Sequence, residues 1–161
     1  YTTAGNREKC DFNESIGASK AIHYRMEKIR DVIGRITYDR GVDVILDRVG
    51  GSYTSDNLEI LAEEGRLVLI NFMKGDEVMV KLSTIMRKRL TITGSTLRAR
   101  DIAFKTSIAA KLEETVWPWL VSGKVKPIIY KTFPLDRAAE AHQTLESSKH
   151  IGKIILRTDL D

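Results

Sequence analysis

Residues 42–51, Val-Asp-Val-Ile-Leu-Asp-Arg-Val-Gly-Gly, are the stretch that decides the fold. Residues 42–47 are almost continuously apolar and branched around Asp43, as expected for a strand buried on both faces of a parallel sheet, and Gly50-Gly51 ends this strand. Upstream of it, apolar residues recur at the spacing of an amphipathic helix, at Ile29, Val32, Ile33 and Ile36. We expect Gly41 to end this helix, so that a helix leads directly into a buried strand, as in α/β proteins.

The same alternation of helices and strands extends in both directions from residue 42. Further strands are expected at 1–5, 21–24, 66–70 and 90–93. Asn6 can cap a helix after the first strand, and a short helix that buries Leu58 and Leu61 follows the two glycines. Strands that alternate with helices predict right-handed crossovers and a doubly wound parallel sheet covered on both sides.

The last third of the chain departs from this pattern. A long amphipathic helix is expected to start from an Asp101 cap, with its last turn bent by Pro118. From Lys126 onward the sequence predicts a strand, a helix and a strand, at 128–133, 136–147 and 153–156. The predicted fold is therefore α/β, with a doubly wound parallel sheet followed by a C-terminal strand-helix-strand appendix.

Composition narrows the range of functions. The 161 residues carry 26 Lys and Arg against 22 Asp and Glu, and the single cysteine leaves no internal disulfide framework and no Cys-rich zinc cluster within the chain. No apolar run approaches the roughly 20 residues of a membrane span, and we expect a cytoplasmic protein. The basic balance suits nucleic acid or an anionic cofactor equally well. Because the basic run 87–89 lacks interleaved aromatic residues, nucleic acid is the less favoured partner.

The loop after the first strand carries the clearest chemical signal, because ligands of a doubly wound sheet bind at the carboxyl ends of its strands. Residues 5–9, Gly-Asn-Arg-Glu-Lys, contain an amide and two cations, and no Asp or Glu stands between Thr3 and Asn6 to hold a ribose 2′-hydroxyl. This pattern suits a 2′-phosphate, and an ordinary helix cap with solvated charges also explains it. For the loop 71–75, the alternative to a ligand site is a capped loop with a buried Phe. For the loop 94–100, the alternative is a solvated basic loop.

Five segments extend the argument from single loops to the whole chain. They are Thr2-Thr3-Ala4-Gly5 with Glu8-Lys9-Cys10, Gly41 to Gly51, Gly65 to Gly75, Gly94-Ser95-Thr96-Leu97-Arg98, and Ile151-Gly152-Lys153-Ile154. In this order they resemble the zinc-independent quinone oxidoreductases, the zeta-crystallin-like branch of the medium-chain dehydrogenase/reductases. The resemblance implies a partial Rossmann-like cofactor domain at 1–124 and a segment at 125–161 that returns to a GroES-like catalytic domain. Because none of the 11 glycines forms a G-x-G pair, the sheet is expected to lack its first β-loop-α unit.

The resemblance also implies the chemistry, which is hydride transfer from NADPH to a quinone or a related electrophile. The residues that it assigns to the 2′-phosphate and adenosine end are Gly5, Asn6, Lys9 and Tyr24. Those that it assigns to the nicotinamide side are Phe72, Met73, Ser95, Thr96 and Leu97. His150 stands where relatives often carry an Asn near the cofactor. The resemblance assigns no catalytic acid, base or metal ligand to this chain.

Two alternatives of different class stay open. One is a zinc-free enoyl or alkenal reductase of the same superfamily, and the other is a non-catalytic interaction or RNA-binding fragment. Under the leading interpretation, the isolated chain lacks both the pyrophosphate-binding loop and the catalytic domain. We therefore expect it to be inactive by itself.

The strand Leu90-Thr91-Ile92-Thr93 predicts a homodimer. It is the last strand of the cofactor sheet in the sequence, and a terminal strand leaves unpaired backbone donors and acceptors. Its residues are β-branched or apolar, with no proline, lysine or internal glycine to discourage pairing. The resemblance implies the same assembly, because these reductases commonly join two cofactor sheets across a two-fold axis.

Overall fold

The computed structural model describes residues 1–158 and places them in two compact units, one formed by Tyr1–Ala99 and one that begins at Arg100. The strands of the first unit are β1 (Thr2–Ala4), β2 (Ala21–His23), β3 (Val42–Asp47), β4 (Leu61–Leu69) and β5 (Thr91–Gly94). Its helices are α1 (Arg7–Ser15), α2 (Ile29–Thr37), α3 (Ser52–Ile60) and α4 (Leu82–Lys88). The second unit contains α5 (Ile102–Thr115), α6 (Trp117–Val121), β6 (Ile129–Pro134), α7 (Ala138–Glu146) and β7 (Lys153–Arg157).

The strands within residues 1–158 pair in parallel, which confirms the predicted α/β class. The pairs are β1 with β2, β3 with β4, β4 with β5, and β6 with β7. The first unit contains two sheets rather than one, because β1 and β2 are not hydrogen bonded to the sheet ordered β3-β4-β5. The predicted division between residues 124 and 125 concerns the two domains of complete family members, and it stays a prediction.

A shared hydrophobic cluster holds the two sheets of the first unit together. Its buried members come from β2, α2 and α3, and they are Ile22, Val32, Ile33 and Ile60. Val42 and Ile45 of β3 pack against the same cluster. The apolar stripe predicted for α2 is therefore confirmed as the face that contacts the core.

α2 ends before the residue that was expected to end it. Its last residue is Thr37, and Tyr38 and Asp39 adopt left-handed conformations with φ of 52° and 61°. Gly41 instead lies where the backbone passes α3, and a Cβ there would be 2.5 Å from the carbonyl oxygen of Ile60. The prediction that Gly41 ends α2 is wrong, because this glycine serves a close backbone approach.

β3 has its predicted bounds but is not buried on both faces. Val44 and Leu46 are 59% and 65% exposed, whereas Ile45 packs against two hydrophobic clusters. Since side chains alternate along a strand, Val44 and Leu46 share the face opposite to Ile45. An apolar run indicates a strand, but it does not show whether a further layer covers each of its faces.

β4 starts earlier than predicted. Leu61, which was expected in the preceding helix, is the first residue of β4 and is buried. The added residues pair irregularly, because Val42 lies opposite Leu61 and Val44 lies opposite Arg66. Further along the strand, Leu67 is fully buried in a second hydrophobic cluster, which it forms with Leu58 and Leu61. The position of β5 at the end of the sheet order confirms it as an edge strand.

The second unit starts with the helix predicted from Asp101. The carboxylate of Asp101 accepts a hydrogen bond from the backbone N–H of Phe104 at 2.7 Å and so caps α5. Pro118 does not bend this helix but lies in the first turn of the separate α6. The strand-helix-strand appendix is confirmed as β6, α7 and β7, in which Phe133 and Ala141 are buried. No helix in residues 1–158 has the length and apolar character needed to cross a membrane.

Candidate functional site

The candidate site lies in the loops that follow β1 to β5, at what we call the carboxyl edge of the first unit. Parallel strands bring these loops to one side of each sheet. An edge-to-face contact between the rings of Tyr24 and Tyr53, with centroids 6.5 Å apart, joins the ends of the two sheets. The ammonium of Lys74 lies 4.9 Å from the centroid of the Tyr53 ring. The sequence did not single out Tyr53, because an aromatic residue in the first turn of a helix is an ordinary core residue.

At the end of β1, Gly5 lies under the phenol of Tyr24. A Cβ at Gly5 would be 2.7 Å from the Tyr24 hydroxyl oxygen, so the ring fills the space that a side chain would need. The backbone N–H of Tyr24 donates to the carbonyl of Ala4 at 3.1 Å, which ties the loops after β1 and β2 together. The structure therefore brings together two of the residues predicted for the adenosine end.

Asn6 caps α1. Its side-chain Oδ1 accepts a hydrogen bond from the backbone N–H of Lys9 at 2.8 Å, which confirms the predicted cap. Arg7 is directed to Asp11, with its Nε 2.9 Å from the carboxylate and both side chains exposed. Lys9 is half-buried. The role of Asn6 and Lys9 toward a 2′-phosphate stays a prediction.

Arg25 is a candidate that the sequence reasoning missed. Its Nε is 3.6 Å from the position that a Cβ at Gly5 would occupy, and its guanidinium carbon is 6.0 Å from the centroid of the Tyr24 ring. Within residues 1–158, no carboxylate forms an ion pair with it. The available signal was a cation directly after the second strand. Its significance appears only when pairing of β1 with β2 brings that strand end beside Gly5.

Two hydrogen bonds join the loop after β3 to the loop after β4. The backbone N–H of Gly51 donates to the carbonyl of Gly75 at 2.9 Å, and that of Lys74 donates to the carbonyl of Val49 at 2.8 Å. The approach is close, because a Cβ at Gly51 would be 2.5 Å from the carbonyl oxygen of Lys74. The two glycines after β3 are needed for this loop-to-loop contact.

The residues predicted for the nicotinamide side are exposed at the same edge. Phe72 and Met73 are 47% and 62% exposed, so the alternative of a buried Phe72 is wrong. The guanidinium of Arg48 donates to the sulfur of Met73 at 3.5 Å. One strand further, the backbone N–H of Ser95 donates to the carbonyl of Leu69 at 3.0 Å, and residues 95–97 are exposed. These predicted residues therefore lie at the ends of adjacent strands, β4 and β5.

His150 belongs to the second unit. Its ring lies edge-on to the ring of Tyr130, with centroids 6.2 Å apart. Its Nδ1 is buried and has no hydrogen-bond partner within residues 1–158. Its predicted position near the cofactor stays a prediction.

The side chains at the carboxyl edge fit a phosphorylated dinucleotide. Lys9 and Arg25 offer cations for phosphate, Tyr24 offers an aromatic surface, and Phe72 and Met73 offer apolar surface. A metal site requires several ligating side chains close together. In the described part of the chain, no three His, Cys, Asp or Glu side chains come together as ligands, and burial raises the pKa of the Cys10 thiol. A zinc site therefore does not fit these residues, and the zinc independence of the complete protein stays a prediction.

Known proteins match the chain along almost its whole length. The family described as zinc-binding dehydrogenase matches residues 16–156. Quinone oxidoreductase-like protein 2 of Bos taurus is 27% identical over 157 residues, which cover 95% of this chain and 44% of that protein. This chain thus spans less than half the length of that relative.

Solved structures agree with this assignment. The quinone oxidoreductase of Escherichia coli, complexed with NADPH, superposes with a TM-score of 0.79 at 27% identity, over 96% of this chain and 48% of that one. An NAD-dependent alcohol dehydrogenase superposes with a TM-score of 0.78 at 26% identity, over 98% of this chain and 43% of that one. The predicted resemblance to quinone oxidoreductases of the medium-chain superfamily is confirmed. The chain belongs to the zinc-binding dehydrogenase family.

Proposed function

We propose that this chain forms the cofactor-binding half of an NADPH-dependent quinone oxidoreductase. The observation that carries the proposal is the arrangement around Gly5, where Tyr24 and Arg25 stand at the end of β1. No acidic residue occupies positions 2–6, where a ligand of the ribose 2′-hydroxyl would stand. A guanidinium at this place favours a 2′-phosphate, and therefore NADPH over NADH.

The bound cofactor supplies the hydride, and the residues of this chain position it and exclude water. Lys9 and Arg25 hold the phosphate end, and the ring of Tyr24 contacts the adenosine. At the other end, Phe72 and Met73 form an apolar lining beside the nicotinamide, together with Ser95, Thr96 and Leu97. The acceptor is a quinone or a related electrophile. The cytoplasm is the compartment that we propose for this activity.

The RNA-binding alternative is less favoured for a structural reason. Two of the three cations of the basic run 87–89 are engaged within the protein. The ammonium of Lys88 donates to the carbonyls of Glu59 and Leu61 at 2.7 and 2.8 Å. Arg89 pairs with Glu63 and Glu64, which raise the pKa of its guanidinium. Little of the run is left to neutralise a phosphate backbone.

The proposal is tested by steady-state assays on the full-length product of the gene. Oxidation of NADPH is followed with a series of quinones and, in parallel, with enones and alkenals. We expect turnover with quinones and a preference for NADPH over NADH. Preferential turnover of enones would replace the proposed acceptor by that of an enoyl or alkenal reductase. Failure to oxidise NADPH with any acceptor would contradict the proposed function.

A homodimer through β5 is part of the same proposal. β5 has one hydrogen-bonded neighbour within residues 1–158, namely β4, and its four residues are exposed. Its outer edge therefore offers backbone groups to a second copy. Two-fold pairing of identical strands is self-complementary, which satisfies the symmetry of a dimer.

A further inference from the structure

We propose that Asp47 is a positioning residue that fixes the nicotinamide side of the carboxyl edge by holding two loops in one arrangement. The inference rests on the proposed function, because it concerns how the same site presents Phe72 and Met73 to the cofactor. Asp47 is not placed in contact with the cofactor, and it acts through the backbone.

Asp47 is a buried carboxylate at the last position of β3, with an exposed fraction of 4%. Its Oδ1 accepts hydrogen bonds from the backbone N–H groups of Val49 and Gly50 at 2.7 and 3.1 Å. Its Oδ2 accepts a hydrogen bond from the side-chain amide of Asn57, also buried, at 3.0 Å. A buried carboxylate is costly unless its oxygens are satisfied, so this set of donors fixes the carboxylate and the turn together.

The turn fixed by Asp47 is in direct contact with the loop that carries Phe72 and Met73. Its Val49 carbonyl accepts from the N–H of Lys74, and the adjacent Gly51 N–H donates to the carbonyl of Gly75. At Gly50 the contact is so tight that a Cβ would be 2.8 Å from the carbonyl oxygen of Gly75 and 3.0 Å from Cδ1 of Phe72. The position of residues 72–75 is therefore set by the position of residues 49–51.

The side chains presented by this second loop have few constraints of their own. Residues 71–79 are all exposed, and the sulfur of Met73 accepts a hydrogen bond from Arg48 of the same turn. We infer that the two loops move as one body and that Asp47 anchors that body to the end of β3. Loss of the anchor should loosen the nicotinamide side and leave the adenosine side at β1 and β2 unchanged.

The test compares two ligands on the full-length gene product. NADPH reaches both ends of the site, whereas 2′,5′-ADP carries the phosphate and adenosine end alone. For Asp47→Ala we expect the Kd of NADPH to rise about tenfold or more, as loss of charged hydrogen bonds predicts. The Kd of 2′,5′-ADP should stay within about twofold of wild type. In hydrogen exchange, the amides of Gly51 and Lys74 should lose protection.

Two variants separate positioning from mere stability. Asp47→Asn keeps an oxygen for the N–H groups of Val49 and Gly50, and a rotated Asn57 amide can accept from its new NH₂ group, so it should restore most of the NADPH affinity. Leu67→Ala creates a cavity in the core without touching either loop, so it should destabilise the protein and leave the ratio of the two Kd values unchanged. If Asp47→Ala does not fold, Asn57→Ala should show the same selective weakening of NADPH to a smaller degree.

Equal weakening of both ligands, or no weakening of either, in the folded variants would overturn the positioning role. Unchanged amide exchange at Gly51 and Lys74 in Asp47→Ala would overturn it as well. Failure of the proposed function is distinguishable, because it appears in the wild type as absent NADPH binding. Failure of the inference appears only in the variants.

Discussion

Three cations lie near the end of β1, namely Arg7, Lys9 and Arg25, and they differ in their surroundings. Arg7 is paired with Asp11 on the outer face of α1. Arg25 stands beside Gly5 and the ring of Tyr24, and Lys9 is half-buried in the first turn of α1. A phosphate bound at the end of β1 should therefore depend on Lys9 and Arg25 and be nearly indifferent to Arg7.

Charge reversal tests this division. We expect Lys9→Glu and Arg25→Glu each to raise the KM for NADPH about tenfold or more, with a much smaller effect on the KM for NADH, because only NADPH carries the 2′-phosphate. Arg7→Glu is the matched control, since it makes the same change of charge on the same helix. The measurement is steady-state kinetics of the full-length gene product with both cofactors. Equal effects on NADPH and NADH would reject the 2′-phosphate role.

Glu14 links the end of α1 to the start of β2. Its carboxylate accepts hydrogen bonds from the backbone N–H of Ala21 at 2.9 Å and from the ammonium of Lys20 at 3.1 Å. The bond from Ala21, followed by that from Lys20, lowers the pKa of the Glu14 carboxyl below its ordinary value. Because the folded-state pKa is lowered, ionised Glu14 stabilises the protein above the unfolded-state pKa of about 4.3, and this contribution is lost as the pH falls through the folded-state pKa.

Glu14→Gln should therefore reduce stability at neutral pH and have less effect in acid. Urea unfolding of wild type and variant is measured at pH values of about 7 and about 3, on either side of the ordinary glutamate pKa. We expect the difference between the two midpoints to shrink at the lower pH. A difference of the same size at both pH values would show that ionised Glu14 contributes nothing specific.

At the scale of elements, the first unit has a three-stranded sheet in which β5 is an edge strand. β4 lies in its middle and contributes Leu67, which is fully buried with Leu58 and Leu61. β5 pairs residue by residue with β4 from Thr91 to Gly94. The central strand should therefore control stability, and the edge strand should control association.

Leu67→Ala tests the role of the central strand. Truncation of a fully buried leucine to alanine leaves a cavity and lowers the free energy of unfolding by about 2–5 kcal/mol. We expect a loss in this range in denaturant unfolding, with an unchanged slope because the surface exposed on unfolding is similar. Leu46→Ala, on the exposed face of β3, is the control and should cost much less. Similar losses for both variants would contradict the assigned core.

Ile92→Pro tests the role of the edge strand. Proline removes a backbone donor from the middle of β5, so we expect a monomer where the wild type is a dimer. Thr93→Lys places a charge on the same edge without removing a donor, and we expect it to weaken the dimer as well. Light scattering of the folded proteins gives the mass. A monomeric wild type, or a folded Ile92→Pro protein that is still dimeric, would reject the interface.

The order of elements could be predicted from the sequence, because hydrophobic spacing and turn residues act locally. The apolar stripe of α2, the strand at 42–47 and the Asp101 cap are examples that the structure confirms. The failures arose where distant parts of the chain meet. Gly41 is required by the passing backbone of α3, and the exposure of Val44 and Leu46 depends on which layers cover β3.

The candidate site, too, could be predicted from the sequence only in part. The loops that contain Gly5, Phe72 and Ser95 could be singled out because each follows a strand, and strand ends of a parallel sheet gather at one edge. The choice of individual residues in them, and of Tyr24, came from the family resemblance and stays a prediction. Arg25 and Asp47 could not, because their roles depend on contacts across strands. Arg25 becomes relevant only when β2 pairs with β1, and Asp47 only when the loops after β3 and β4 touch.

At the scale of the whole molecule, we propose that the carboxyl edge of the first unit binds NADPH. Support comes from the cation and ring beside Gly5, from the family match over residues 16–156, and from the likeness to a quinone oxidoreductase solved with NADPH. The likeness to an NAD-dependent alcohol dehydrogenase makes the choice between the two cofactors the point to decide.

Titration calorimetry of the full-length gene product with NADPH and with NADH decides it most directly. The two ligands differ only in the 2′-phosphate, so the ratio of their Kd values measures what the residues beside Gly5 contribute to recognition of that group. We predict that NADPH binds about tenfold tighter or more, the difference expected from charge-assisted hydrogen bonds to the phosphate. Equal affinities, tighter binding of NADH, or no binding of either cofactor would contradict the account.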